Sequence, residues 1–264
     1  MNKVIRAEFG RTINAGLIIA IAGIIFSICF DSFNDLIAGL RNGQGYVGYF
    51  FSNAAFGGMC THYMLPVFTA LPFSVSLCQE RNNKAVSYIV SREGKTRYIF
   101  AKFIVSAISG GFVAACGTVL LFLMLAMRFP IAGDEFEGAV VSDYFHEWSA
   151  VYYPQLYILT LSILAFCRGV IWSSLALCVS LYTSDFMVVL LSPFLGSYVL
   201  VRIFQIIRVP DMVRPDMILI GQVVIKSSGL TLLIAIAISL TIVTLIGAFF
   251  VGKMKEGLKS GTIY

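Results

Sequence analysis

Long uninterrupted apolar runs alternate along the chain with short charged segments. Six runs stand out, at 13–30, 56–78, 103–127, 156–182, 186–207 and 227–252. A hydrocarbon core of about 30 Å takes about 20 apolar residues as helix, so each run is a candidate membrane span. The runs are continuous and do not alternate at every second residue, which predicts helices and excludes a β-barrel. Pro66, Pro72 and Pro193 fall inside runs. Prolines are tolerated there when neighbouring helices or hydroxyl side chains satisfy the freed backbone groups. The expected fold class is all-α: a polytopic integral membrane protein of six transmembrane helices, forming one transmembrane domain over 1–264.

Composition sharpens this picture. Of 264 residues, 58% are hydrophobic and only 12% charged, and the mean hydropathy is +0.87. Soluble domains are nearer one-quarter charged. A soluble enzyme, a disordered tail and a nucleic-acid reader are excluded on these grounds. The net charge of +5 reflects basic loops beside apolar runs, as membrane topology requires. Six cysteines lie in or at the ends of the runs without a C-x-x-C pair. They read as small buried hydrophobes, with no metal site.

The basic residues also orient the chain. Lys3, Arg6 and Arg11 precede the first run. Arg81, Lys84, Arg92, Lys95, Arg97 and Lys102 lie between the second and third, and Lys253, Lys255 and Lys259 follow the sixth. Segment 128–155 carries only Arg128, against Asp134, Glu135, Glu137, Asp143 and Glu147, and segment 31–55 only Arg41. The positive-inside rule therefore places both termini and the 79–102 segment in the cytoplasm. Segment 202–226 dissents, with Arg202, Arg208, Arg214 and Lys226 on the outer side. Aromatic anchors are expected at the outer mouths: Tyr46, Tyr49, Phe50 and Phe51, then Tyr144, Phe145, Trp148, Tyr152 and Tyr153. The first run lacks an A-x-A-like cleavage site, so it reads as an uncleaved span. Residues 1–12 read as an amphipathic elbow helix on the inner membrane surface, with Ile5 and Phe9 toward lipid.

Several chemistries are missing. Gly94-Lys95-Thr96 matches the end of a phosphate-binding loop, but Ile89 stands where that motif needs a further Gly. Asp and Glu are absent from all six runs, which argues against an ion-coupled carrier. The two histidines, His62 and His146, lie on different elements and form no catalytic cluster. Arg168 is the exception, a cation near the middle of the fourth run. A bare Arg there costs at least about 2.5–3.5 kcal/mol on insertion scales. It is expected to face other helices or a cavity, not lipid. Carbonyls freed by prolines, Ser173, Ser174 or an anionic group on a substrate are the available partners. Arg168 is thus either a hydrogen-bonded helix brace or a substrate-pathway residue, and His62 either an inter-helix hydrogen-bonder or a second pathway residue.

The most distinctive polar segment is 79–97. Ala85, Val86, Ile89 and Val90 recur at i, i+1, i+4 and i+5, an apolar stripe on a short helix that Gly94 ends. Just outside a bilayer, such a stripe rests on lipid or on a partner. The stretch from Glu80 to Lys102 resembles the first cytoplasmic loop of ABC-2-type exporter permeases. In that family a Glu follows the second span, then come a short helix, a small-residue turn with basic residues, and a Lys near the third span. Glu80, Ser91, Gly94, Lys95, Arg97 and Lys102 match, while Arg92 stands about where relatives carry a Pro. The overall layout resembles the family too, including an outer re-entrant segment at 205–226 broken by Pro210 and Pro215, where Arg208, Asp211, Arg214 and Asp216 can pair.

The resemblance implies a permease subunit in a bacterial plasma membrane, exporting a small amphipathic peptide, bacteriocin or drug. It implies two permease copies or paralogues with two separate ATPase subunits, which would bind ATP and Mg; this chain would hold no cofactor and catalyse nothing. Glu80, Arg81, Lys84, Val86, Tyr88, Ile89, Ser91 and Arg92 would form the coupling helix that docks on the ATPase. The competing expectation is an ATPase-independent channel or the membrane domain of a sensor.

Overall fold

The computed structural model describes residues 2–42, 47, 50, 58–131 and 153–260. Among them the secondary structure is helical throughout, without strands. The chain begins with α1 (Asn2–Thr12), followed by α2 (Ala15–Asp31) and α3 (Phe33–Asn42). The axes of α1 and α2 differ by 57°. Asn14 restarts the helix at this bend, its side chain accepting from the Leu17 backbone N–H at 3.1 Å. An Asn in this N-cap position is worth about 1 kcal/mol.

The run at 56–78 is not one continuous crossing. Its described part forms α4 (Met59–Ala70) and α5 (Ser76–Asn82), separated by a turn containing Pro72. Pro72 has no N–H, so it cannot serve the Phe68 carbonyl four residues back. The Leu71 N–H takes that role at 3.3 Å. The turn is held from outside by Ser74, whose hydroxyl donates to the Ser173 carbonyl at 2.9 Å and lies 3.0 Å from the Ser106 hydroxyl. The N-terminus of α4 is capped from a distance: Asp31, at the end of α2, accepts from the N–H groups of Cys60 (2.9 Å) and Thr61 (2.6 Å).

The remaining helices are α6 (Val86–Glu93), α7 (Lys95–Ala126), α8 (Pro154–Val179), α9 (Phe186–Ile207), α10 (Pro215–Ile220) and α11 (Ser228–Ser260), with a 3-10 turn at Asp211–Val213. Gly94 joins α6 to α7 with φ +86°, a conformation that stops α6 where the sequence suggested. Arg168 does not break α8, which runs unbroken from Pro154 to Val179.

Helix α8 is the axis of the bundle, touching α4, α7, α9, α10 and α11. Its closest neighbour is α7, where a Cβ on Gly169 would lie only 2.5 Å from the Gly110 carbonyl oxygen. Small residues let two helix backbones approach this way, the usual device of packing in lipid. Buried hydroxyls such as Ser106, Ser109, Ser173 and Ser174 fill the interior, while Leu120, Leu123, Leu195, Val199, Leu240 and Leu245 point outward. A water-soluble core would reverse this distribution. Helices α7, α8, α9 and α11 are each long and apolar enough to cross a bilayer, and the bent pair α1–α2 makes a fifth candidate among the described residues. The described residues are those of an all-helical membrane protein, with four to five candidate spans among them.

Of the expected aromatic anchors, only Phe50 and Tyr153 lie within the described residues. Tyr153 is exposed, but Phe50 is buried against Phe129, with ring centroids 4.7 Å apart, so it is a packing residue and not an interfacial anchor. His146 and the acids of 132–152 lie outside the described residues. All six cysteines are free.

Candidate functional site

Both candidate pathway residues line the same space. Two adjoining cavities open between α4, α8, α9 and α10, and His62, Arg168, Val201, Asp216 and Ile220 border both. The first, of about 160 Å³, also reaches α11 and is walled by apolar side chains such as Leu65, Ile171, Trp172, Leu200 and Ile242. The second, of about 240 Å³, carries the polar groups Tyr63, Gln205, Arg214 and Gln222. Pro66 borders the apolar cavity and removes the helical donor that would serve the His62 carbonyl.

Arg168 enters this space from the middle of α8. Its side chain is buried, at 9% exposure, and its Nε has no hydrogen-bond acceptor among the described residues. Ser173 and Ser174, expected as partners, both donate to the Val170 carbonyl of their own helix (3.3 and 2.7 Å). The nearby carboxylate is committed elsewhere. Asp216 accepts two hydrogen bonds from Arg214, from Nε at 3.3 Å and Nη2 at 2.7 Å. Asp211 adds a third contact, to Nη1 at 3.2 Å. These bonds, Asp216 first, raise the pKa of Arg214 above its ordinary value. The expected pairing within 205–226 is thus present for Arg214, Asp211 and Asp216. Segment 215–220 sits against protein, with Ile218, Leu219 and Ile220 buried.

The expected docking residues divide into two faces. Val86, Ile89 and Val90 are buried against the chain's own Tyr98, Leu177, Leu181, Phe250, Met254 and Leu258. The apolar stripe therefore rests neither on lipid nor on a partner; α7, α8 and α11 cover it. Arg81 also turns inward, donating to the carbonyls of Ser180 (2.9 Å) and Leu181 (3.2 Å), where the end of α8 leaves acceptors unmatched. Tyr88, Ser91, Arg92 and Lys84 remain on the outer face.

Glu80 departs furthest from expectation. It is buried, and its carboxylate accepts from Lys102 Nζ (2.6 Å), Arg11 Nη1 (2.6 Å) and the Tyr98 hydroxyl (2.5 Å). Glu8 completes the cluster, 3.3 Å from Lys102 Nζ and 3.2 Å from Arg11. Two acids and two bases balance, and Lys102 also stacks 4.8 Å above the Phe73 ring. The Glu80 side chain is thus a tie between α1, α5 and α7, not a surface contact. Sequence reasoning missed Glu8 and Tyr98 here, and an acid one turn before Arg11 was the available signal.

These contacts bring α1, α6, the start of α7 and the ends of α8 and α11 to one end of the bundle. Arg6, Arg92, Lys95, Lys253 and Lys255 are exposed there. No known family model matches this sequence, and neither a curated protein nor a solved structure is detectably similar to it.

Proposed function

We propose that this chain is the transmembrane permease subunit of an ATP-driven exporter of the ABC-2 type, crossing a bacterial plasma membrane six times with both termini in the cytoplasm. In this reading α4, the Pro72 turn and α5 together make the second crossing, as a broken span. A second permease copy or paralogue completes the pathway, and separate ATPase subunits carry ATP and Mg. The observation that carries the reading is α6. It is a two-faced helix at the basic end, with Val86, Ile89 and Val90 seated on α7, α8 and α11 and with Tyr88, Ser91 and Arg92 left outward.

Such a helix serves as a lever. A partner that grips the outer face moves three long helices through the inner one. The Glu80 cluster links the same motion to α1, so the bundle responds as rigid bodies about packed interfaces. Two cavities beside Arg168 and His62 offer a place for cargo. The basic end satisfies the positive-inside rule for a cytoplasmic face.

Co-purification tests the reading. The detergent-extracted chain should bring down an ATPase from its native membrane. Tyr88→Asp together with Arg92→Glu should abolish that capture while leaving helicity and thermal stability unchanged. Ile89→Asp is a poor probe, because Ile89 is buried and its loss would unseat α6. Failure of the unaltered chain to capture an ATPase would refute the exporter and favour an ATPase-independent channel or sensor.

A further inference from the structure

We propose that the paired cavities beside Arg168 bind an amphiphile carrying a single anionic group, with the charge at Arg168 and the apolar body in the chamber beneath Trp172. Arg168 is buried, its Nε is without an acceptor among the described residues, and it borders both cavities. A buried guanidinium without a counter-charge is costly and acts as an open socket for a carboxylate or phosphate. The other charged and titratable groups facing the space do not fill that socket. Asp216 is held by Arg214 through two hydrogen bonds, Arg214 by Asp216 and Asp211, and His62 carries no negative charge. The second half of the recognition is apolar. Leu65, Ile171, Trp172, Leu200 and Ile242 line a chamber of about 160 Å³ that would hold a hydrocarbon body and repel a bare ion. As a statement about cargo this rests on the permease reading; the occupancy of the cavity does not.

Trp172 supplies the measurement. It borders the apolar cavity, and Trp148→Phe removes the other tryptophan of the chain. The protein is placed in discs of zwitterionic lipid and titrated with a bromine-tipped undecanoate, whose bromine quenches nearby indole emission. Saturable quenching is expected. The matching bromo-alcohol should bind at least about tenfold more weakly, the loss expected for a charge-assisted hydrogen bond. Arg168→Met should reduce the carboxylate to the level of the alcohol, and Arg168→Lys should retain part of the difference. Should Arg168→Met not fold, the comparison of carboxylate with alcohol on the parent protein still decides.

Equal quenching by acid and alcohol, or a linear rise without saturation, would overturn the proposal by assigning the signal to bilayer partitioning. Displacement by inorganic phosphate as effective as by unbrominated undecanoate would also overturn it, since the site would then read only a small anion. These outcomes are read without any ATPase. Lost ATPase capture with intact binding would remove the pump and keep the site, and the reverse would leave a pump with different cargo.

Discussion

Lys102 has no exposed surface, and its ammonium sits between Glu80 at 2.6 Å and Glu8 at 3.3 Å. Removing one partner from a buried ion cluster strands the others, at a cost of about 3–5 kcal/mol. Lys102→Met should therefore lower the thermal midpoint of the detergent-solubilised protein sharply. Adding Glu80→Gln should recover part of the loss, because one stranded charge disappears. A single variant as stable as the parent would show that the cluster is not holding α1 to α7. Asp31 makes a smaller contribution of a different kind. Its carboxylate meets the partial positive charge at the start of α4 and satisfies two N–H groups there. Asp31→Ala should cost about 1–2 kcal/mol in chemical denaturation, and Asp31→Asn clearly less, because the amide oxygen still accepts. Equal losses for the two would rule out capping.

The crossing of α7 and α8 governs the element scale. Gly110, Gly111 and Gly169 let the two backbones touch, and no side chain fits between them: a Cβ on Gly169 would meet the Gly111 Cα at 2.9 Å as well as the Gly110 oxygen. Gly169→Val must push the helices apart. Overpacking of this kind costs about 1–3 kcal/mol or more, and here it would also displace Arg168, the adjacent residue. Gly252→Ala is the control, since nothing lies within 4 Å of a Cβ there. Size-exclusion chromatography and thermal melts should show Gly169→Val dispersed or destabilised and Gly252→Ala unchanged. If both variants behave like the parent, the close approach is not essential. Of the two helices, α8 also lines the cavity, through Arg168, Ile171 and Trp172.

On the scale of the whole molecule, the two ends differ in charge and in build. One gathers α1, α6 and the basic tail of α11; the other holds the Arg214 network and α10. If the bundle crosses the membrane as proposed, Tyr88 and Met212, both exposed, face opposite compartments. In a cysteine-free background, Tyr88→Cys should resist a membrane-impermeant maleimide added to intact cells and react once the membrane is opened. Met212→Cys should react from outside at once. Labelling of both from the same side would refute the six-span arrangement.

Much of this was legible one residue at a time. Apolar runs of membrane length follow from the cost of exposing backbone and polar groups to lipid, so α2, α7, α8, α9 and α11 are visible in the sequence. Gly94 ended α6 where expected, because few other residues adopt its backbone angle. Arg168 and His62 stood out because polar groups are rare in such runs. Partners at long range were not legible. That Glu80 faces Lys102 and Glu8, that Asp31 caps α4, and that the stripe of α6 is covered by α8 and α11 all depend on how helices distant in the chain are set against one another. Only the tertiary structure decided these, and it turned Glu80 and Ile89 from surface contacts into interior ones. A sequence states which groups must be satisfied, because that cost belongs to each residue. Which neighbour satisfies them depends on packing geometry, and that geometry leaves the Arg168 Nε without an acceptor among the described residues.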